Sequence, residues 1–210
     1  MKKYDEAFFR AKTNKRAKIA WLVLVIVACA YYAIKVYTGK IAFGYATIVA
    51  VTGWVSYIAG FIILKLKGND YAGYKWIVGL LYMLFFSLIA WTALDQVSFV
   101  FILPLISILI LYKDPKFIKV MMWATMFVLI TSNIYKGVAK GMIEFISSAE
   151  CALQFAIVLC CYACTNMAIK HLVESDGALT DSIENELQSV VQTVEQVKGA
   201  SKQIVGGVTV

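Results

Sequence analysis

Residues 41–64, IAFGYATIVAVTGWVSYIAGFIIL, form a long run without a single charged side chain. The hydrocarbon core of a bilayer is about 30 Å thick, and a helix of about 20 apolar residues is enough to cross it. The run exceeds that length and contains no proline. It therefore predicts a membrane-spanning helix from Ile41 to Leu64.

The rest of the chain has the same character. Hydrophobic residues make up 61% of the 210 residues and charged residues 16%, there are two prolines, and the mean hydropathy is +0.75. Such a composition indicates an integral membrane protein. We predict an all-α fold in which a six-helix transmembrane bundle is followed by a cytoplasmic coiled-coil helix. The other five predicted spans are Ile19–Val36, Trp76–Leu94, Val97–Tyr112, Phe117–Tyr135 and Cys151–Ile169.

Two parts of this assignment have alternatives. The fourth and fifth spans have the shortest charge-free cores, so a re-entrant hairpin over residues 97–135 is the alternative there. The first apolar run follows a basic leader, as in a secretory signal. That run continues past the small residues Ala28 and Ala30 through Tyr31, Tyr32 and Ile34, so a first anchor is the preferred interpretation.

The distribution of lysine and arginine sets the predicted orientation, because cytoplasmic loops are enriched in both. The loops predicted to face outward hold few of them: Lys40, then only Asp95, then Lys136 and Lys140 balanced by Glu144 and Glu150. We therefore predict a multi-pass protein of the inner (cytoplasmic) membrane with both termini in the cytoplasm, as an even number of spans also requires. The predicted inner segments carry Lys2, Lys3, Arg10, Lys12, Lys15, Arg16, Lys18, Lys65, Lys67, Lys75, Lys113, Lys116 and Lys119.

The net charge of +7 is concentrated in these inner segments, where anionic lipid attracts basic side chains. The lipid bilayer, and no nucleic acid, is therefore the predicted partner of this charge. Three regions follow: a basic cytoplasmic segment 1–18, a transmembrane sensor domain 19–169, and a linker with the start of a coiled coil, 170–210. The first region is either an amphipathic helix on the membrane surface or a solvated leader.

The last region carries a heptad pattern. From Ile183 the apolar residues recur in steps of four and three, and polar residues fill the positions between them. A helix with one narrow apolar stripe pairs with other helices in water, so we predict a homodimer through this seam. The single polar member, Ser201, is its predicted weak point, and because the pattern still runs at Val210 we expect an output module downstream. The seam consists of Ile183, Leu187, Val190, Val194, Val197, Ser201, Ile204 and Val208.

Residues that carry chemistry are sparse. No predicted span has an ionisable residue near its centre, whereas pumps and ion-coupled carriers keep such residues. Neither a catalytic triad nor a phosphate-binding glycine loop can be assembled, so we predict no enzyme and no cofactor. Cys151, Cys160, Cys161 and Cys164 with His171 suggest a metal or redox site, but the ligand set is incomplete for structural zinc, and we predict no metal.

Deep aromatic residues offer one more alternative. Trp54, Phe85, Phe86, Trp91 and Trp123 lie within predicted spans. We interpret them as packing or lipid-facing side chains, with a pocket for an apolar or aromatic ligand as the alternative.

The stretch from Ser189 to Val210, SVVQTVEQVKGASKQIVGGVTV, resembles the start of the cytoplasmic signalling domain of bacterial methyl-accepting chemotaxis proteins, in particular those with a multi-span membrane sensor. The resemblance implies a homodimeric receptor whose four-helix bundle controls a histidine kinase through an adaptor protein. It also implies adaptation by methylation of Glu and Gln side chains. Glu195 and Gln196 half-match that pattern and are the methylation candidates.

Two departures from the family shape the predicted mechanism. The outer loops are too short for an external ligand domain, so the stimulus is sensed within the membrane or through another protein. Fewer than fifteen residues separate Ile169 from Ile183, which leaves no room for the usual HAMP linker. The sixth span then drives the bundle directly, through either a short break near Gly177 or a continuous helix.

The predicted function is therefore a transmembrane chemoreceptor. The alternatives are a small transporter or channel with a C-terminal oligomerisation helix, and the sensor of a membrane histidine kinase or diguanylate cyclase.

Overall fold

The computed structural model describes residues 6–93, 98–141 and 149–208. Every secondary-structure element in these ranges is helical, which confirms the predicted all-α class. The chain divides into two compact units, Met1–Ile169 and Lys170–Val210. The α-helices are α1 Glu6–Tyr37, α2 Phe43–Lys67, α3 Tyr74–Thr92, α4 Leu103–Leu109, α5 Pro115–Lys140 and α6 Ala149–Val208.

Five of these helices, all but α4, are long and apolar enough to cross a membrane. They correspond to the first, second, third, fifth and sixth predicted spans, although Leu94, the predicted end of the third, lies outside the described residues.

The predicted fourth span is the short one. Its first residue, Val97, lies outside the described residues, and the rest is a 3₁₀-helix Ser98–Ile102, then α4, then a 3₁₀-helix Ile110–Tyr112. A 3₁₀-helix rises about 2.0 Å per residue and an α-helix about 1.5 Å, so the three pieces reach about 27 Å if they follow one axis.

Helix α1 includes most of the predicted basic segment. Residues 6–18 belong to the same helix as the first span, while residues 1–5 lie outside the described part of the chain. Asn14 is only 3% exposed. Its side-chain amide donates to the carbonyl oxygens of Asn69 at 2.9 Å and Tyr71 at 3.0 Å. The turn between α2 and α3 is thereby held against the basic part of α1.

The first two helices are antiparallel and closely packed. Trp21 is completely buried, with its ring centre 5.9 Å from that of Tyr57, and its ring faces Gly60 of α2. Toward the other end of the pair, the rings of Tyr32 and Tyr45 meet at 5.8 Å. Small residues at such contacts let membrane helices approach closely.

Helices α3 and α5 are parallel. At their first turns the Lys75 ammonium lies 2.5 Å from the Asp114 carboxylate, and at their far ends the rings of Trp91 and Tyr135 stack at 5.4 Å. The chain between two parallel helices has to return along their length, so the segment containing α4 runs from the end of α3 back to its start. A re-entrant hairpin over residues 97–135 does not fit this geometry, because α5 follows α3 throughout.

Helix α6 runs antiparallel to α5 within the first unit. Asn133 lies near Cys151, and Thr125 is hydrogen-bonded to Tyr162. Ile169, the last residue of this unit, therefore lies at the end where α5 begins. We call this end the basic end, because Lys75 and the basic turns of α1 lie there as well.

Local sequence explains where α1 ends and where α5 begins. Gly39 has a φ of 68°, and the amide hydrogens of Gly39 and Lys40 donate to the carbonyls of Val36 and Lys35, each at 2.9 Å. This is a Schellman motif, which glycine favours because the left-handed conformation costs it little. At the start of α5, Asp114 is the N-cap and accepts hydrogen bonds from the amides of Lys116 and Phe117 at 3.0 and 3.1 Å.

Asp114 thus has two roles, which substitution separates. Asparagine caps a helix about as well as aspartate, so Asp114→Asn should remove only the ion pair with Lys75 and lower the free energy of unfolding by about 1 kcal/mol. Asp114→Ala removes the cap as well and should lower it by about 2 kcal/mol. Reversible unfolding of the three proteins in mixed micelles at pH 7 measures the difference, and equal stability of wild type and Asp114→Asn contradicts the assigned ion pair.

The same pair predicts a pH dependence. Burial raises the pKa of Asp114, but the hydrogen bonds from Lys75 and from the amides of Phe117 and Lys116 outweigh it, and the pKa lies below its ordinary value. A carboxylate of this kind stabilises the fold above its unfolded-state pKa of about 3.9, and the stabilisation is lost as the pH falls through the folded-state value. The stability gap between wild type and Asp114→Asn should therefore close below about pH 3.9.

Candidate functional site

The part of α6 in the first unit presents one buried stripe. Its buried members recur in steps of three and four, as on one face of a helix, and they include glutamine, tyrosine and threonine. Polar side chains between membrane helices hold those helices together by hydrogen bonds. The stripe consists of Cys151, Gln154, Val158, Tyr162, Thr165 and Ile169.

One polar contact of this stripe involves three helices. The hydroxyl oxygens of Thr125 in α5 and Tyr162 in α6 are 2.7 Å apart. Thr125 also donates to the carbonyl of Met121 at 2.8 Å and lies 3.7 Å from the sulfur of Met83 in α3. Thr125 and Tyr162 are fully buried. A shift of α6 along α5 has to break this contact, so it is a point at which the helix position is fixed.

Lys136 differs from its predicted place. As the first charge after the apolar run, Lys136 is predicted to lie in an outer loop, but α5 continues to Lys140 and Lys136 is only 4% exposed. Near it Ser132 and Asn133 are buried as well, and the Asn133 amide donates to the sulfur of Cys151 at 3.5 Å. Thr125, Ser132 and Lys136 are spaced so that they lie on one face of α5, and this spacing is the sequence signal for the buried polar face of that helix.

The predicted seam is exposed wherever its side chains are described. Exposure rises from 46% at Ile183 to 63% at Val197, with Leu187, Val190 and Val194 between. The helix is continuous through Gly177 to Val208, so of the two predicted linkers the continuous helix is the one observed. Ser201, Ile204 and Val208 lie on this helix, but their side chains fall outside the described residues.

Apart from Cys151, which belongs to the buried stripe of α6, the remaining candidates lie outside that stripe. Glu195 and Gln196, the methylation candidates, are exposed on α6, and so is His171. Among the cysteines, Cys160 and Cys164 are exposed while Cys151 is buried. Within residues 6–93, 98–141 and 149–208, no group of three or more His, Cys, Asp or Glu side chains is arranged to hold a metal ion.

The deep aromatic residues do not share one environment. Phe85 and Phe86 are buried in the core, whereas Trp54 and Trp91 are partly exposed and Trp123 is 70% exposed on the outside of α5. Side chains divided in this way do not enclose a common cavity. Phe85 and Phe86 pack in the core, and contact of the three tryptophans with lipid stays a prediction.

Comparison of the chain with family models, with curated proteins and with solved structures finds no match. The resemblance of Ser189–Val210 to chemoreceptors therefore stays a prediction from the sequence. What the geometry provides is a helix, α6, that is held by hydrogen bonds in the first unit and that carries an apolar seam in the second.

Proposed function

We propose that this chain is the membrane sensor and first signalling helix of a homodimeric receptor of the inner membrane. The observation that carries the proposal is α6. One helix from Ala149 to Val208 contributes a buried polar stripe to the first unit and an exposed apolar seam to the second. A helix that belongs to both units is suited to transmit a change from one to the other.

The contacts at the basic end support six crossings with both termini in the cytoplasm. The Asn14 and Lys75 contacts bring the α2–α3 turn and the start of α5 to the same end as the basic turns of α1. Short basic loops favour the cytoplasmic side. The return of the chain between α3 and α5 supplies the additional crossing, and α6 reaches this same end at Ile169.

The proposed mechanism has two states. A stimulus shifts or rotates α6 relative to α5, the Thr125–Tyr162 hydrogen bond exchanges partners, and the seam packs differently against the second subunit. Helix shifts of about 1–2 Å are a common element of such switches. A coupling free energy of about 1 to 3 kcal/mol between the two ends is sufficient for physiological control.

The output is proposed from the resemblance. A chemotaxis histidine kinase with its adaptor protein binds a signalling domain downstream of Val210, and methylation at Glu195 and Gln196 resets the balance between the states. Both side chains are exposed, as a modifying enzyme requires. The same sensor placed before a histidine kinase or a diguanylate cyclase is the variant of this proposal.

A chimera tests the proposal. Residues 1–210 are joined in register to the kinase-control domain of a chemotaxis receptor, and kinase autophosphorylation is measured in membranes with adaptor present. We expect the chimera to control the kinase and Tyr162→Phe to change the activity by about threefold, which corresponds to the roughly 0.6 kcal/mol of one interhelical hydrogen bond. Tyr37→Phe, at a tyrosine that is 92% exposed, is the matched control.

Two results would contradict the receptor. A chimera that assembles but leaves kinase activity independent of residues 1–169 removes the sensor role. A change of equal size in Tyr37→Phe and Tyr162→Phe removes the α5–α6 contact from the mechanism. Ser201→Leu, which fills the polar position of the seam, should lock the output in one state if the seam is where switching occurs.

Lys136 favours a second candidate, a small transporter or channel whose α6 serves oligomerisation. Buried ionisable residues in membrane helices often mark substrate or proton pathways, and Lys136 of α5 is buried and interacts electrostatically with Cys151 of α6. In proteoliposomes such a carrier should conduct ions or protons, and Lys136→Met should abolish the flux. The receptor should show no flux in wild type.

A further inference from the structure

A cavity of about 270 Å³ lies at the basic end of the first unit, between α1 and the last turns of α2. The two helices are packed together close to it, where the buried ring of Trp21 faces Gly60. The Asn14 amide holds the turn after α2 through the carbonyl of Asn69. The parts of the chain that form the cavity are therefore fixed by the fold. The lining consists of Lys18, Phe61, Leu64, Lys65, Gly68 and Asn69.

Two lysines from different helices line this cavity. Lys18 belongs to α1 and is half-buried, and Lys65 belongs to the end of α2 and is exposed. The Lys18 nitrogen lies 4.9 Å from the centre of the Phe61 ring. A cation–π contact of this kind orients the ammonium group and leaves its charge in place. The fold therefore presents two positive charges at one cavity, although 46 residues separate them in the sequence.

The lysine charges are not balanced within the lining. No described lining residue is acidic, and the structure describes no salt bridge from Lys18 or Lys65 to another described residue. One carboxylate lies at the edge: Oδ1 of Asp70 is 3.0 Å from the position that a Cβ atom of Gly68 would take. Two lysines against one aspartate leave the cavity positive, which favours an anion.

An apolar stripe leads away from the cavity along α2. Phe61, Ile58 and Trp54 precede Lys65 in steps of four, three and four, so the four side chains share one helix face. All three apolar side chains are partly exposed, and they belong to a helix that is long and apolar enough to cross a membrane. A positive cavity at the end of a span, continued by an exposed apolar stripe within it, matches the two parts of a phospholipid.

We propose that this cavity is a specific site for the phosphate head group of an anionic phospholipid. The phosphate would lie between the Lys18 and Lys65 ammonium groups, and an acyl chain would follow Phe61 and Ile58. Basic pockets between membrane helices bind lipid head groups in this way. General attraction of anionic lipid to basic loops depends on the number of charges near the surface, whereas this site is saturable and depends on two particular lysines.

Titration of the purified 210-residue chain in detergent tests the proposal. Native mass spectrometry resolves the first bound lipid when the chain is mixed with phosphatidylglycerol or with phosphatidylcholine of the same acyl chains. Both lipids carry a phosphate, but the choline group cancels its charge. The first phosphatidylglycerol should therefore bind about tenfold tighter than the first phosphatidylcholine. Equal affinity for the two lipids overturns the proposal.

Glutamine variants locate the site. Lys18→Gln and Lys65→Gln should each weaken binding of the first phosphatidylglycerol by about threefold or more, and binding of phosphatidylcholine should stay the same, which shows that the fold is intact. Lys67→Gln removes an exposed lysine from the same end of α2 but outside the lining. This matched control should bind as wild type does. An equal loss in all three variants indicates general attraction only and contradicts a specific site.

A soluble phosphate ester shares the head-group chemistry, and competition separates the two sources. Glycerol phosphate carries the same phosphate without acyl chains. Because the apolar stripe contributes to lipid binding, glycerol phosphate in hundredfold excess should leave bound phosphatidylglycerol in place. Displacement at that ratio identifies a soluble ester as the ligand and overturns the assignment to lipid. The measurement uses no kinase, so its failure leaves the receptor proposal standing, and failure of the chimera leaves the lipid site standing.

Discussion

A single methyl group added at Gly60 is expected to destabilise the first unit by about 2 kcal/mol, whereas the same group at Gly44 should cost nothing. A Cβ atom at Gly60 would lie 2.5 Å from Cζ3 of Trp21 and 3.0 Å from its Cη2, while a Cβ at Gly44 meets nothing within 4 Å. Trp21 is completely buried, so its ring cannot move aside without displacing its neighbours. Helices α1 and α2 would have to separate.

The measurement is reversible unfolding of Gly60→Ala, Gly44→Ala and wild type in mixed micelles, followed by the near-ultraviolet signal of the tryptophans. Alanine favours a helix over glycine by up to about 1 kcal/mol, so Gly44→Ala should be equal to wild type or more stable. Gly60→Leu should prevent accumulation of the folded protein. If Gly60→Ala is as stable as Gly44→Ala, α1 and α2 do not meet through Trp21 and Gly60.

This contact also shows how far the sequence determines the fold. The run from Ile41 to Leu64 predicts α2 from composition alone, because a bilayer requires about 20 apolar residues and little else. The sequence does not predict which residue packs against Gly60. Nothing near Gly60 in the sequence indicates that Trp21 faces it, since that pairing depends on how two helices are placed after both have formed.

The position of Lys136 is a second feature that the sequence predicts incorrectly. A charge ends an apolar run, so the sequence predicts that the fifth span ends at Tyr135 and that Lys136 lies in a loop. The helix ends instead at Lys140, and Gly141 follows with a φ of 68°, which suits glycine at a helix C-terminus. A buried lysine is stable only with polar neighbours, and those neighbours come partly from α6. Local sequence therefore gives the helix but not the environment of its charge.

The fourth predicted span and a cavity lined by Tyr32, Lys40 and Thr92 show two further limits of prediction from the sequence. The apolar residues from Val97 to Tyr112 predict a span, and the structure divides residues 98–112 between 3₁₀ and α geometry, with Pro104 in the first turn of α4. The cavity had no sequence signal. Tyr32, Lys40 and Thr92 become neighbours only because three helix ends meet, and no periodicity along the chain describes that meeting.

A charge placed in the α6 seam is expected to abolish the proposed homodimer. Leu187→Lys and Val194→Lys each replace a seam side chain, whereas Gln188→Lys and Glu195→Lys place the same ammonium group one position away, outside the seam. A buried Leu or Val side chain contributes about 1.5–3 kcal/mol. Because the substitution acts on both subunits, each seam variant should weaken association by about a hundredfold or more.

The expected loss of association follows from the exposure of the apolar side chains in the second unit. From Val173 to Gly199 every described side chain is exposed, including Ile183, Leu187 and Val190. A single helix without packing is marginal in water, because most helical stability in proteins comes from burial of an apolar face. A second copy supplies a seam of the same period, as knobs-into-holes packing requires, and association then stabilises the helix and buries its apolar stripe together.

Counting subunits by photobleaching of labelled protein in nanodiscs measures the result. Wild type and the two outer variants should show two bleaching steps, and the two seam variants one. Circular dichroism gives a second readout: loss of the partner should also reduce the helix content of residues 170–208 in Leu187→Lys but not in Gln188→Lys. Two-step bleaching in all five proteins would place the subunit contact within the membrane helices, and the seam would then be free for another helical partner.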